Sequence, residues 1–93
     1  MIKHIYLYKI KDPSKKEEVV AKLMSLKNHV PEIFELEVGM DFKGADNSYE
    51  ICEYVTFRTM QDFLAFGKNE YHESIRQYMS SVQKSSVKID YEC

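Results

Sequence analysis

Residues 2–10, Ile-Lys-His-Ile-Tyr-Leu-Tyr-Lys-Ile, constrain what this chain can fold into more than any other stretch. Successive side chains of a strand point to opposite faces. His4, Tyr6, Tyr8 and Ile10 therefore share one face, and Lys3, Ile5, Leu7 and Lys9 the other. Both sets carry bulky apolar groups, so such a strand needs a cover on each side. Helices can supply one cover. The other is more than 93 residues readily provide.

The rest of the pattern supplies helices and three further strands. Asp12-Pro13 breaks the first strand, because proline lacks an amide donor and restrains the residue before it. Ser14 and Glu17 have the spacing of a capping box. Val19, Val20, Leu23, Met24 and Leu26 follow as one apolar helical stripe that ends at residues 28–31. Residues 35–43 alternate, which predicts a strand with Leu36, Val38, Met40 and Phe42 toward the core and Glu37, Asp41 and Lys43 away from it. The turn cluster at residues 44–48 predicts a hairpin into a third strand over 49–58. Its Ile51, Val55 and Phe57 lie on one side, Cys52 and Tyr54 on the other. Residues 86–92 alternate again, Val87, Ile89 and Tyr91 against Lys88, Asp90 and Glu92.

With a helical region between residues 59 and 82, the order is strand, helix, strand, strand, helix, strand. This predicts an α+β, ferredoxin-like β-α-β-β-α-β fold in a single domain over residues 1–93, with helices on one face of a four-stranded antiparallel sheet. The second face would be bare in one copy. Burying it against the same face of another copy is the simplest solution, so the chain is expected to form a homodimer. Seven Tyr and five Phe in so small a domain agree with an interface or a pocket.

Thirteen basic and fifteen acidic side chains give a net charge of −2, without blocks. No basic patch interleaves with aromatics, which argues against nucleic-acid binding. No apolar run reaches the roughly 18–20 residues of a membrane span, and no signal-peptide pattern follows Met1. A soluble cytoplasmic protein is the expectation. Cys52 and Cys93 are far apart and read as two free thiols. His4, His29 and His72 contain no helical i, i+4 pair, so no metal and no cofactor is expected.

The segment 59–72, Thr-Met-Gln-Asp-Phe-Leu-Ala-Phe-Gly-Lys-Asn-Glu-Tyr-His, reads as a short helix, a glycine stop and a second helix opening on a histidine. Thr59 with Asp62 fits an N-cap pair, Gly67 suits a left-handed helix end, and Asn69 can cap the next helix. His72 then sits in a first turn, where free amides and the positive dipole end favour a neutral imidazole or a bound anion. Its ring is a candidate general base, because imidazole titrates near neutral pH. A structural alternative is a hydrogen bond to a backbone carbonyl. His4, on an otherwise apolar face, needs a partner and reads first as a core histidine bonded to backbone or to His72, with a catalytic role as the alternative. His29, at a helix end, reads as structural.

The pieces Ile2-Lys3-His4-Ile5, Val30-Pro31-Glu32-Ile33, Val38-Gly39-Met40-Asp41, Tyr54-Val55-Thr56-Phe57, Asp62-Phe63 and Tyr71-His72 occur in an order that resembles the stress-responsive A/B barrel (Dabb) family of dimeric α+β barrels. The resemblance implies a homodimer with a cavity between each sheet and its helices. Many members have no assigned reaction. Some plant members cyclise linear polyketides with a histidine matching His72 as base, a nearby tyrosine, and a further histidine matching His4. In this chain the tyrosine position falls on Phe66, and another cavity histidine position falls near Ile51. Tyr6, Tyr8 or Tyr71 could stand in for the tyrosine.

Two functions follow as expectations. One is a homodimeric module, linked to stress responses, whose apolar pocket binds a hydrophobic small molecule. Its lining would include Tyr6, Tyr8, Phe57, Phe63, Phe66 and Tyr71. The other is a cofactor-independent cyclase or lyase acting on a hydrophobic carbonyl compound, with His72 as base and His4 or a tyrosine holding the oxyanion. Glu50, Glu53, Glu70 and Glu73 read as solvated faces.

Overall fold

Strand β1 (Ile2–Ile10) lies inside the sheet rather than at its edge, as its two apolar faces require. The computed structural model describes residues 1–93. In it β1 is flanked by β3 (Ile51–Phe57) and β4 (Gln83–Glu92), and β2 (Glu35–Met40) lies outside β3. The order is β2-β3-β1-β4, with every neighbouring pair antiparallel. This is the ferredoxin-like arrangement.

Register decides which residues meet. His4 stands opposite Val55 on one side and Asp90 on the other, and Tyr6 stands between Glu53 and Lys88. These rows face the helices. Ile2, Tyr8, Ile10, Ile51, Val55 and Phe57 on the same face are buried. They pack against Val19 and Leu23 of α1 (Lys16–Met24), Leu26 of α2 (Leu26–His29), Phe66 of α3 (Met60–Lys68) and Ile75, Met79 and Val82 of α4 (Glu70–Val82).

Local chemistry departs from the sequence expectations at several points. Asp12, not Ser14, caps the first helical region: its Oδ1 accepts from the Ser14 amide at 3.0 Å, opening a 3-10 turn over Pro13–Lys15. Helix α3 runs through Gly67 without a left-handed residue and stops at Asn69, whose backbone is extended. The left-handed glycine is Gly44 (φ 66°), in the β2–β3 connection, where its amide donates to Asp41. Strand β2 ends at Met40, so Phe42 lies in that connection and is fully exposed instead of core-facing. Met24 is also exposed. Strand β3 spans 51–57 rather than 49–58, and β4 begins earlier than expected, at Gln83.

The other face of the sheet carries Ile5, Leu7, Cys52, Tyr54, Val87, Ile89 and Tyr91, and no helix covers it. Val87, Ile89 and Tyr91 stay 46%, 56% and 42% exposed, a contiguous apolar strip along β4 beside Ile5 and Leu7. No helix is long and apolar enough to cross a membrane.

Candidate active site between the sheet and the last two helices

Helix α3 starts on the Thr59 hydroxyl, which accepts from the Asp62 amide at 3.1 Å. One residue, Asn69, then joins α3 to α4. Its amide donates to the Phe66 carbonyl (3.2 Å), and its side-chain oxygen accepts from the His72 amide (3.0 Å). The joint turns the first residues of α4 back over α3. The His72 ring stacks on Phe66 with centroids 3.6 Å apart, and its Nδ1 lies 2.8 Å from the Phe66 carbonyl oxygen. A carbonyl only accepts, so Nδ1 carries the proton and neutral His72 keeps its lone pair on Nε2. Burial lowers its pKa to about 4, outweighing the Phe66 hydrogen bond that favours the charged ring. The sequence pointed to the helix dipole as the cause of neutrality. Desolvation is the largest influence on this ring.

His4 is buried among Tyr6, Phe63 and Phe66, with the Tyr6 and Phe66 rings edge-on at 5.3 and 5.4 Å. Its partner is neither backbone nor His72. Nδ1 bonds the Asp90 carboxylate across the β1–β4 ladder, and Asp90 also lies 3.4 Å from Lys88. The carboxylate fixes the ring's orientation and turns Nε2 away from the ladder.

Glu53 corrects the expectation of a solvated face. It is 3% exposed and accepts a hydrogen bond from the Tyr8 hydroxyl at 2.8 Å. Burial pushes its pKa up, against the opposing effects of His4 and of the Tyr8 hydrogen bond. The Tyr8 phenol is raised too, by burial first and the adjoining Glu53 second. Tyr6 stacks on Tyr8 with centroids 5.1 Å apart. Glu50 also departs from a free solvated role: Oε1 accepts from the Ile10 amide and Oε2 lies 3.4 Å from Lys16.

These groups line one cavity of about 280 Å³ between the sheet and α3–α4. His4, His72, Tyr6, Tyr8, Phe63 and Phe66 all reach it, together with Glu53 and Asp90. Half-exposed Arg76 and Lys88 mark its solvent side. No fully buried side-chain nitrogen or oxygen lacks a partner, so the Nε2 atoms of both histidines, which bond nothing in the chain, open on this space. Phe57 does not line it. That ring is fully buried beneath Phe63 and Phe66, at centroid distances of 5.7 and 4.9 Å. Tyr71 does not line it either. It faces α2, bonding Ser25 Oγ at 2.6 Å and stacking on His29 at 3.9 Å, while His29 itself bonds the Ser25 carbonyl. Phe66 brings no hydroxyl, and the tyrosines that reach the cavity are Tyr6 and Tyr8.

No group of three or more His, Cys, Asp or Glu side chains is arranged to hold a metal. The cavity can instead do proton chemistry: unshared imidazole nitrogens, a buried acid and phenols share a lining that mixes aromatic with polar and charged side chains.

Comparison with curated proteins finds no match. Among solved structures, a dimeric ferredoxin-like protein of unknown function from Thermobifida fusca aligns with a TM-score of 0.86 at 21% identity, covering 99% of this chain and 90% of that one. The hydroxynitrile lyase from Passiflora edulis aligns with a TM-score of 0.85 at 20% identity, covering 97% and 90%. A Dabb family protein with a ferredoxin-like fold from Mesorhizobium loti aligns at 0.76 and 16% identity, covering 99% and 95%. At such identities these likenesses speak for the fold. The model of the stress responsive A/B barrel domain matches residues 2–93, and the chain belongs to that family.

Proposed function

We propose that the chain is a cofactor-independent acid–base catalyst acting on a small, mostly apolar carbonyl compound, with His72 as general base. The observation that carries this reading is a single cavity of about 280 Å³ into which His4 and His72 each turn an unshared Nε2. His72 Nε2 takes an acidic proton next to the substrate carbonyl, and the electron pair moves onto the carbonyl oxygen. When doubly protonated, His4 forms an ion pair with Asp90 and donates from Nε2 to that oxygen. Burial makes the His72 imidazolium unfavourable while the cavity is empty. The enolate formed beside it supplies the compensating charge, so the proton is held only where the anion is. A solved hydroxynitrile lyase with this fold, and the plant cyclases that the sequence resembles, support chemistry of this class.

A binding-only role is favoured by Phe66, which stacks on His72 and brings no hydroxyl where the sequence resemblance implies a tyrosine. Under either reading we infer a homodimer. The uncovered strip Val87, Ile89 and Tyr91 beside Ile5 and Leu7 supports sheet-to-sheet pairing, and the Thermobifida fusca relative is described as dimeric. Two free thiols suit a cytoplasmic setting.

Exchange of the acidic hydrogens of 1-phenylbutane-1,3-dione in heavy water tests the catalytic reading by NMR. The protein should accelerate exchange, and His72→Gln should lose about 10²-fold or more of that acceleration. No acceleration over buffer by the unmutated protein leaves the binding-only reading. His72 also sets a pH dependence of stability. Its folded pKa of about 4 lies below the unfolded value of 6.5, so the unfolded chain binds the extra proton first. Stability is full above pH 6.5 and falls as pH drops toward 4. After discounting for solvent in the cavity, the loss is roughly 1–2 kcal/mol. Urea titrations of wild type and His72→Gln should differ by that amount in pH slope over this window; parallel curves contradict the assignment. Sedimentation at micromolar concentration should give about twice the 11.0 kDa chain mass, and Ile89→Asp should return it to one. A wild-type monomer contradicts the paired-sheet architecture.

A further inference from the structure

The proposed proton transfer uses His72 and His4 and leaves Glu53 without a task. Its position is unusual for a carboxylate. On the inward face of β3 it stands between Ile51 and Val55, where apolar packing is continuous on both sides. Its neighbour across the ladder is Tyr6, and its sole partner is the Tyr8 hydroxyl, on Oε1. No basic side chain pairs with it. Oε2 makes no hydrogen bond in the chain, yet no fully buried oxygen is left unpaired. Oε2 therefore opens on the cavity.

We propose that Glu53, held by Tyr8, is the specificity-determining residue of the cavity: an uncharged carboxylic acid whose free O–H selects ligands carrying a second, hydrogen-bond-accepting oxygen apart from the reacting carbonyl. This rests on the ligand cavity proposed above and names its substrate class. Burial is the largest influence on this carboxyl and fits an uncharged acid, against His4 and the Tyr8 hydrogen bond, which favour the charged form. The Tyr8 hydroxyl occupies one oxygen as donor, so the proton belongs on the other. An apolar ligand end would leave this O–H unpaired, and a site built to bond an oxygen discriminates strongly against analogues lacking it. Tyr8 acts through Glu53 as a positioning residue. Stacked Tyr6 supplies a flat wall beside the acid, which suits an aromatic or conjugated ligand.

Binding of three acetophenones by NMR titration tests this, with 4-hydroxy, 4-methyl and 4-aminomethyl substituents. The 4-hydroxy compound should bind about tenfold tighter than the 4-methyl one. That preference should survive Glu53→Gln, because an amide still accepts from Tyr8 and still offers an N–H to the ligand. It should vanish in Glu53→Leu. Should Glu53→Leu fail to fold, Tyr8→Phe takes its place and should weaken the preference. A purely structural Glu53 would change melting temperature on substitution without changing the order of the compounds. Equal binding of the hydroxy and methyl compounds to the unmutated protein overturns this inference alone. Tightest binding of the aminomethyl compound, lost in Glu53→Gln, overturns it in favour of a charged carboxylate. Failure of all three to bind at millimolar concentration overturns the ligand cavity as well.

Discussion

The site depends on a joint one residue long. Asn69 closes α3 with its backbone amide and opens α4 with its side chain, so the two helices meet with no loop between them. The chain's reversal is thereby fixed to within a hydrogen bond, and the ring three residues on has nowhere to go but back over the last turn of α3. There the Phe66 carbonyl and ring take one nitrogen and one face of His72. What is left over, a single basic nitrogen, is the part that reaches the cavity. Helix capping, ordinarily a matter of local stability, here sets the tautomer and direction of a functional group.

The opposite wall of the cavity is organised by pairing across strands. The central position of β1 gives it two ladders, and each brings a carboxylate to its inner face: Asp90 from β4 and Glu53 from β3. The two are treated differently by their surroundings. Asp90 lies near solvent beside Lys88 and bonds His4. Glu53 is enclosed and has only a phenol for company. Neighbouring carboxyl groups with different environments are the usual way for one pocket to hold both a charged and an uncharged acid.

Much of this was legible in the sequence, and the failures have physical reasons. Strand alternation and capping residues gave the element order, and the Thr59 and Asn69 caps placed His72. Glu53 was legible too. Period-two alternation of Ile51, Val55 and Phe57 puts residue 53 on the same inward face, but a charged side chain there contradicts the expectation that such groups are solvated. Asp90 was seen to oppose Val87 and Ile89. Which set faces inward, and that it meets His4, depends on register, and the pairing of residues 86 positions apart has no local signature. Tyr71, expected in the pocket, precedes His72 in α4, and neighbours in a helix point about 100° apart, so His72 faces the cavity and Tyr71 faces α2. Phe42 was read as core because alternation ran on past Met40, beyond the last residue of β2.

The account stands or falls on the protonation of His72 in the empty protein. Long-range nitrogen NMR at pH 7 reads this directly. It should show a neutral ring with the proton on Nδ1 and an unprotonated Nε2. A proton found on Nε2, or a doubly protonated ring, would mean that the nitrogen facing the cavity is not a base, and would contradict the account.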